Sequence, residues 1–429
     1  MNKLKISSAL FGLVMSTSTF ANYNCEQLKL TDCPTPYDVK LPDPHNMLTW
    51  TADDRVVGFR NTFRLYEGTV FKPNKKHIYT LEKADKTIQN EDIHYTVNGK
   101  KYNLDDYIKS QNVSGLIILK NGKVALEYYG KGNTPTTLWT SRSVAKPITS
   151  TLIGVAIKQG KIQSIDDPIV KYLPDLKNTA WDKVTLKNLL QHTSGVDWNE
   201  NYQDPKSHFA EMTYCEATKN PQDCVYKLVK GLKTKNMPGE VWEYNTAGSW
   251  LAGLVLEKAT GKSIAKNLQD NVWQKFGMER EGIWHSYKTN KSDMGGHGFN
   301  ATLRDYARFG QFVMQEGALA SGEKLLPDQW TKDATSWTQA KGSVSTKYPE
   351  GIFGYQWWNS KARVGEPLST KNADSTFWGF GIFGQMMAIN PKDKIVMMQW
   401  TTWSTATPSP EIDNEKSLFL NAVTNYLED

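Results

Sequence analysis

Apolar positions with the spacing of β-strands are concentrated near the two ends of the chain. In residues 113–129, two mostly apolar segments flank Asn121-Gly122, a dipeptide typical of two-residue hairpin turns. A second pair of apolar segments, 383–389 and 395–401, flanks the turn-forming residues 391–393. The pattern therefore predicts one β-hairpin in the first third of the chain and another near its end.

Apolar positions with helical spacing occupy much of the middle of the chain. Residues 148–159 carry apolar side chains at intervals of three and four, which predicts an amphipathic helix. Residues 185–190 form a short apolar segment that Thr185 can cap at its N-terminus. Further helical segments are predicted within 200–290, from residue 302 onwards and over 415–427.

Strands at both ends and helices between them predict an α+β fold. The economical arrangement is a single antiparallel β-sheet built from both chain ends and flanked by helices, with a mainly helical inserted subdomain at about 160–300. The span 54–107 carries short alternating segments, among them 62–66, and Asn98-Gly99 is a turn signal. A small β-rich layer is therefore expected in this span.

The first 21 residues have the features of a secretory signal peptide. Lys3 and Lys5 precede a mostly apolar segment, and Ala21 is a small residue suited to cleavage. The remaining chain divides into an N-terminal arm with the β-rich layer (22–110) and a main domain (111–429). No other segment has the length and apolarity of a membrane span, so a periplasmic or secreted protein without a stable span after cleavage is predicted.

Composition changes this picture little. The 429 residues are 39% hydrophobic and 22% charged, as in an ordinary globular protein, and the formal net charge is +6. No basic segment is interleaved with aromatic residues, so a nucleic-acid partner is not indicated. The 15 tryptophans fit either an aromatic-lined pocket or core packing, and core packing is the commoner use.

The four cysteines form two local pairs, Cys25 with Cys33 and Cys215 with Cys224. In an exported protein, two short-loop disulfides are the natural interpretation. A zinc site is the alternative, but the spacings are wide and the histidine spacing of a zinc finger is missing. Disulfides are therefore predicted, and neither a metal nor a cofactor is.

The candidate chemistry centres on Ser143 and Lys146, an S-x-x-K pair at the start of the helix predicted over 148–159. Residues three apart share a helix face, so a lysine amine there can take the serine proton while backbone N–H groups face the developing oxyanion. The pattern alone is common: two further matches occur, at 263–266 and 321–324. The rest of the sequence has to distinguish Ser143 from them.

Two later segments can complete a site around Ser143. Residues 238–248 place Tyr244 among amide and hydroxyl side chains, where a tyrosinate held between ammonium groups could act as a base, although an isolated tyrosine more often packs. Residues 378–385 carry Gly379, Gly381 and Gly384, which allow a close backbone approach but equally mark a bulged strand.

In this order and spacing, the motifs SVAK (143–146), LLQHTSG (189–195), PG with a following Tyr244 (238–244) and GFGI (379–382) resemble the serine β-lactamase-related family. The resemblance covers about 113–402. Within that family the chain resembles the class C β-lactamases and penicillin-binding proteins, and it is nearest the esterase and 6-aminohexanoate-dimer (nylon oligomer) hydrolase branch. It implies the β-lactamase/transpeptidase-like fold and hydrolysis through an acyl-serine intermediate.

The resemblance also implies roles for individual residues. Ser143 would be the nucleophile, Lys146 its proton acceptor or electrostatic partner, and Tyr244 the proton relay to the leaving group and the deacylating water. The backbone N–H groups of Ser143 and Ile382 would form the oxyanion hole. The substrate-binding residues expected from the motifs are Asn245, Thr246, Trp378, Gly379, Phe380 and Gly381.

Two departures from the family pattern bear on the substrate. The asparagine common two residues after the tyrosine is replaced by Thr246, with Asn245 adjacent instead. The lysine or histidine that usually opens the third motif and helps hold a substrate carboxylate is replaced by Gly379. With Trp378 and Phe380 nearby, an apolar mouth suited to small esters or linear amides is expected.

Other candidate sites are weaker. The chain has no G-x-S-x-G nucleophile elbow. Asp305 and Arg308 fit a helix-start packing motif better than a catalytic pair. The resemblance places His192 in a structural turn rather than in a Ser–His pair. Metal ligation by His285, His297 and Asp293 has mismatched spacing.

An esterase or amidase is therefore the leading hypothesis. A β-lactamase or D-alanyl-D-alanine peptidase-like enzyme and a catalytically silent binding protein of the same fold are the alternatives. The sequence leaves the physiological substrate and the oligomeric state open.

Overall fold

A computed structural model describes residues 23–287, 292–336, 353–359 and 375–428. Twelve strands are present in these ranges, and they are numbered here in chain order. They are β1 (Gly68–Phe71), β2 (Tyr95–Val97), β3 (Lys100–Tyr102), β4 (Val113–Lys120), β5 (Lys123–Tyr129), β6 (Trp139–Thr140), β7 (Gly282–His285), β8 (Phe299–Ala301), β9 (Trp358–Asn359), β10 (Phe377–Gly381), β11 (Gln385–Asn390) and β12 (Ile395–Thr401).

The helices of the same ranges connect and cover these strands. They are α1 (Ala52–Leu65), α2 (Leu104–Ser110), α3 (Ala145–Lys158), α4 (Leu186–Leu190), α5 (His208–Glu216), α6 (Pro221–Gly231), α7 (Thr246–Thr260), α8 (Ile264–Leu268), α9 (Gln274–Phe276), α10 (Leu303–Met314), α11 (Trp330–Thr335) and α12 (Pro410–Tyr426). Among the described residues, no helix has both the length and the apolar character needed to cross a bilayer.

The largest described sheet has the strand order β5-β4-β12-β11-β10-β9, with every neighbouring pair antiparallel. Strands from both parts of the chain meet at its centre, where Ile117 on β4 lies opposite Met398 on β12. Asn121 and Gly122 both adopt positive φ, 52° and 75°, as the predicted hairpin turn requires. Both predicted hairpins and the α+β fold class are thus confirmed.

Both faces of this sheet are covered, which explains why its central strands read as almost continuous apolar segments. On β4, Leu116 and Ile118 pack into the cluster that contains residues of α2 and α12. Ile117 and Leu119 point the other way, into the larger cluster with α3, α7 and α10. The helix α3 that carries the S-x-x-K pair is therefore fixed against the larger core.

A second, four-stranded sheet with the order β1-β7-β8-β6 was not predicted from the sequence. Its edge strand β6 ends at Thr140, three residues before Ser143. Trp139 on this strand packs its ring on Trp400 of the main sheet, with ring centroids 5.3 Å apart. The second sheet therefore fixes the chain entering the S-x-x-K turn.

The expected β-rich layer in 54–107 is only partly present. The hairpin of β2 and β3 turns at Asn98-Gly99 as predicted, but the strand prediction for 62–66 is wrong, because those residues complete and follow α1. A reciprocal capping box between Thr51 and Asp54 starts that helix. Phe59 and Phe63, one turn apart, are both buried in this helix. The alternation of five residues alone does not distinguish such a helix from a strand.

Capping residues mark the ends of several helices. Thr185 and Thr302 cap α4 and α10, and Gly261 ends α7 in the left-handed conformation at φ 69°. The terminal helix α12 starts five residues earlier than predicted, with Ser409 as its N-cap. The predicted signal peptide lies outside the described residues, and the division at 110/111 stays a prediction.

Candidate active site

Ser143 lies in a short 3-10 turn, Arg142–Val144, that runs directly into α3. Arg142 has a positive φ of 48°, so the chain bends sharply between β6 and the helix. This bend presents the partly exposed Ser143 at the edge of a cavity while its neighbours Arg142 and Val144 are buried. The geometry is that of an accessible hydroxyl on a rigid support.

Lys146 is buried beneath Ser143, with only 1% of its surface exposed. Its Nζ is 2.8 Å from Ser143 Oγ, 3.0 Å from Thr246 Oγ1 and 2.9 Å from the carbonyl oxygen of Gly296. The predicted S-x-x-K pair is therefore in direct contact, and three oxygen atoms surround the nitrogen.

Burial lowers the pKa of Lys146 to about 8, although the nearby carboxylates of Glu200 and Glu216 favour its charged form. An amine with this pKa is partly neutral at physiological pH and can accept a proton. Lys146 thus has both the contact and the basicity of a proton acceptor for Ser143.

Tyr244 precedes Asn245, the N-cap of α7, and lies beside the pair. The ring centre of Tyr244 is 5.0 Å from Lys146 Nζ and 4.4 Å from the ring of His192, and the ring stacks on Trp358 at 5.7 Å. Burial and the negative charge of Glu200 raise the pKa of Tyr244, which a hydrogen bond to Ser143 offsets only in part. The raised pKa favours the neutral phenol over a resting tyrosinate, and the catalytic role of Tyr244 stays a prediction.

The end of β10 comes very close to the Ser143 turn. A Cβ atom built on Gly381 would be 2.5 Å from the carbonyl oxygen of Ser141, so any larger residue would push the two segments apart. Gly384 adopts φ 92° in the kink that follows, where a side chain would also meet Thr401. These glycines place Ile382 beside Ser143 on the cavity wall.

The cavity in front of Ser143 has a volume of about 430 Å³ and mostly apolar walls. Three charged side chains also line it: Glu200 on the α4–α5 connection, and Asp413 and Lys416, an ion pair at the start of α12. The complete lining is Ser143, Glu200, Tyr202, Tyr244, Trp358, Phe380, Gly381, Ile382, Trp403, Ala406, Thr407, Pro408, Asp413 and Lys416.

Of the predicted substrate-binding residues, Phe380 and Gly381 line this cavity. Asn245, Thr246, Trp378 and Gly379 do not, and all four are buried. Trp378 packs in the cluster on the opposite face of the main sheet, while Asn245 caps α7 and donates its backbone N–H to His192 Nδ1, 3.2 Å away. Direct substrate contact by these four residues has no support from the cavity lining and stays a prediction.

Most of the cavity wall was not predicted from the sequence. Glu200, Tyr202, Trp358, Trp403 and the Asp413–Lys416 pair come from loops and a helix far apart in the chain. None of them belongs to a recognisable motif. Only the high tryptophan content indicated an aromatic pocket, and eight of the tryptophans are among the largest fully buried side chains.

The remaining candidates have structural partners. Asp305 lies in the first turn of α10, where its backbone N–H donates to the N-cap Thr302, and its carboxylate binds Arg308 at 2.8 Å, as the packing interpretation predicted. His192 accepts the N–H of Asn245 within the predicted turn. His297 contacts Glu216 at 2.9 Å, and His285 contacts Asn300 at 3.0 Å. Each of these two histidines therefore has its own hydrogen-bond partner.

The other two S-x-x-K matches have different surroundings. Ser263 caps α8, and its Lys266 binds Asp270 at the surface. Ser321 is exposed. The two predicted disulfides are present, Cys25–Cys33 and Cys215–Cys224.

Comparison with known proteins agrees with this geometry. A sequence model of the Beta-lactamase family matches residues 103–421. The 6-aminohexanoate-dimer hydrolase of Paenarthrobacter ureafaciens is 24% identical over 316 residues, 72% of this chain and 76% of that protein. Teichoic acid D-alanine hydrolase of Staphylococcus aureus is 26% identical over 348 residues, 78% of this chain and 82% of that protein.

Solved structures show the same fold. A candidate 6-aminohexanoate-dimer hydrolase from Bacillus anthracis superposes with a TM-score of 0.74, covering 90% of this chain and 98% of that one at 24% identity. At this identity the likeness establishes the architecture, and the chemistry has to be argued from the residues of this chain.

Proposed function

Since the chain belongs to the Beta-lactamase family and is a serine hydrolase, we propose that it is an exported enzyme that cleaves small esters or linear amides through an acyl-serine intermediate. The observation that carries this proposal is the 2.8 Å contact between Lys146 Nζ and Ser143 Oγ at the edge of the cavity. A nucleophile touching a buried amine of lowered pKa is what acyl transfer at neutral pH needs.

In the proposed acylation step, neutral Lys146 takes the proton of Ser143 as Oγ bonds to the substrate carbonyl carbon. The carbonyl electron pair moves onto its oxygen, which the N–H groups of Ser143 and Ile382 would stabilise. Tyr244, protonated because its pKa is raised, gives its proton to the leaving group and recovers one from the water that later attacks the acyl-serine. As the acyl–Oγ bond then breaks, Lys146 returns its proton to Ser143 Oγ.

The cavity supports a compact, largely apolar acyl group. Aromatic side chains dominate its walls, and the Lys416 ammonium is already paired with Asp413. One relative is named for hydrolysis of the 6-aminohexanoate dimer. Linear amides of this kind and short-chain esters are therefore the proposed substrate classes, ahead of β-lactams.

Export is the second part of the proposal. The two disulfides support it, because such bonds persist in oxidising compartments. Labelling of free thiols before and after reduction would test it: a protein isolated from the periplasm or the medium should react only after reduction. Free thiols in the freshly isolated protein would count against export.

The nucleophile is tested by intact-mass measurement after brief exposure to p-nitrophenyl acetate. The native protein should gain one acetyl group or turn the ester over, and Ser143→Ala should do neither. Ser321→Ala is a matched control, because it removes the serine of another S-x-x-K match at an exposed position. Labelling that survives in Ser143→Ala would reject the assignment.

The substrate class is tested with a panel of p-nitrophenyl esters, the 6-aminohexanoate dimer and penicillin G. We expect turnover of short esters or the linear amide and little reaction with penicillin. Stable covalent labelling by penicillin with slow turnover would favour the penicillin-interacting alternative. An active-site serine that no acylating probe modifies would instead favour a silent binding protein.

A further inference from the structure

Glu200 is a charged residue in the cavity wall to which the family motifs assign no role. Four donors converge on its carboxylate. The backbone N–H of Thr246 (2.7 Å) and Trp198 Nε1 (2.5 Å) reach Oε2, and the hydroxyls of Thr246 and Tyr202 reach Oε1, the latter at 3.1 Å. An ionised carboxylate only accepts hydrogen bonds, so each of these four groups has to donate.

This arrangement fixes the direction of the Thr246 hydroxyl. The hydroxyl has one proton, and that proton is committed to Glu200. The same Oγ1 is 3.0 Å from Lys146 Nζ, so towards Lys146 it can only accept. The Gly296 carbonyl oxygen, 2.9 Å from Nζ, is an acceptor by nature. Two of the three oxygen atoms around Lys146 Nζ can therefore only accept a hydrogen bond from an N–H of the lysine.

These two contacts determine the orientation of the lone pair when the Lys146 amine is neutral. A tetrahedral amine then has two N–H bonds and one lone pair besides its bond to Cε. With both N–H bonds directed to Thr246 and Gly296, the lone pair points to the third neighbour, Ser143 Oγ, at 2.8 Å. This is the orientation in which the amine can take the serine proton.

We propose that Glu200 and Thr246 are positioning residues that orient the lone pair of Lys146 towards Ser143. The inference rests on the proposed function, because it needs Lys146 to be the base of the acylation step. Thr246 stands where the family commonly has an asparagine, so this chain replaces a side-chain amide by a hydroxyl whose direction a buried carboxylate sets.

The groups that face Lys146 from the surrounding elements define what a substitution changes. They are Ser143 on its own turn, Tyr244 and Thr246 at the start of α7, Glu200 before α5, Glu216 at the end of α5, and His192 after α4. Glu200 and Glu216 are the anionic members of this set. Removing the charge of Glu200 should therefore also lower the pKa of Lys146.

Glu200→Gln is a sharp test because it keeps the shape and reverses the hydrogen-bond direction. The amide oxygen has to face the N–H groups of Thr246 and Trp198, since an NH2 group there would meet two donors. The amide NH2 then faces the hydroxyls of Thr246 and Tyr202, and both hydroxyls have to rotate so that they accept hydrogen bonds instead of donating them. The Thr246 proton would point at Lys146 and compete with Ser143 for the lone pair.

The expected result is a plateau acylation rate lowered about 10- to 100-fold in Glu200→Gln, measured by stopped-flow release of p-nitrophenol, since general-base catalysis contributes about 10²- to 10⁴-fold. The pH midpoint of acylation should also fall below that of the native enzyme. Thr246→Val, which removes the hydroxyl, should lower the plateau rate similarly, and Thr246→Ser should restore it. A purely structural role would not move the midpoint.

Matched controls are Glu279→Gln, at a partly exposed carboxylate beside Arg308, and Thr260→Val, at the other end of α7. Both should acylate at the native rate. If Glu200→Gln loses its fold by circular dichroism, Thr246→Val decides alone, because it leaves Glu200 and its other three donors in place.

Failure of the positioning role and failure of the proposed function give different results. If Ser143→Ala abolishes labelling while Glu200→Gln and Thr246→Val keep the native plateau rate and midpoint, the positioning role is overturned and the proposed function stands. If Ser143→Ala still reacts, the proposed function fails first.

Discussion

The pH dependence of acylation follows from the burial of Lys146. Its pKa is lowered to about 8, whereas an unperturbed lysine has a pKa of about 10.4. If the neutral amine takes the Ser143 proton, the acylation rate follows the neutral fraction, roughly 10% at pH 7, 50% at pH 8 and 90% at pH 9. The rate should therefore rise about tenfold between pH 7 and pH 9 and then level off.

An unperturbed lysine would give a different curve. Its neutral fraction is roughly 0.04% at pH 7 and 4% at pH 9, so the rate would rise about a hundredfold over this range without a plateau. Tyr244 does not confuse the interpretation, because burial raises its pKa above the tested range. The shape of the profile thus reports the lysine.

The assay is stopped-flow acylation by p-nitrophenyl acetate between pH 6 and pH 10 at constant ionic strength. Lys146→Met should lower the rate by about 10²- to 10⁴-fold and remove the inflection. Lys158→Met, at an exposed lysine on the same helix, is the matched control and should keep both. A log-rate slope of one persisting to pH 10 would refute burial as the source of the base.

Three further predictions concern stability and the Ser143 turn. Because the folded-state pKa of Lys146 is lowered, its ammonium costs about 3 kcal/mol of stability at pH 7, and this cost disappears between about pH 8 and pH 10.5. In urea unfolding, the native protein should therefore gain stability relative to Lys146→Met as the pH rises. A difference that stays constant with pH would contradict this. Gly381→Ala should lower kcat/KM for p-nitrophenyl acetate at least about tenfold by displacing the oxyanion segment, whereas Gly231→Ala, where a Cβ meets open space, should not. Trp378→Phe should destabilise the protein by about 1–3 kcal/mol with an unchanged KM, and a large KM increase would restore Trp378 to the substrate site.

Short-range signals in the sequence predicted much of the fold because each depends on neighbouring residues. Asn121-Gly122 requires two positive φ angles, and Thr185 and Thr302 cap helices through N–H groups three positions away. The S-x-x-K contact is of the same kind, since one helical turn brings Lys146 to Ser143.

The errors arose where several residues of context decide between two periodicities. Residues 62–66 alternate like a strand, yet the capping box at Thr51 and Asp54 starts a helix in which Phe59 and Phe63 are both buried. The position of Trp378 depends on a different kind of context. It lies on the same face of β10 as Phe380, and their rings are 5.4 Å apart, but only Phe380, at the end of the strand, reaches the cavity.

Tertiary contacts between distant segments account for what the sequence could not predict about the site. Glu200 reaches Lys146 only through Thr246, 46 positions away. Neither Glu200 nor Thr246 belongs to a motif that requires the other. Their connection depends on the packing of the α4–α5 loop against the start of α7, which no local pattern encodes.

The charge at the far side of the cavity bears on which substrates fit. In the family pattern a lysine or histidine at the position of Gly379 helps hold a substrate carboxylate, and here the cation comes instead from Lys416 on α12. This lysine is almost fully buried and paired with Asp413. A substrate carboxylate placed against Lys416 would have to displace Asp413 and leave that carboxylate without its ion-pair partner, which costs several kcal/mol for a buried pair. A substrate that places no carboxylate at this part of the wall avoids this cost, and the aromatic side chains of Trp358 and Phe380 then contribute binding energy through apolar contact.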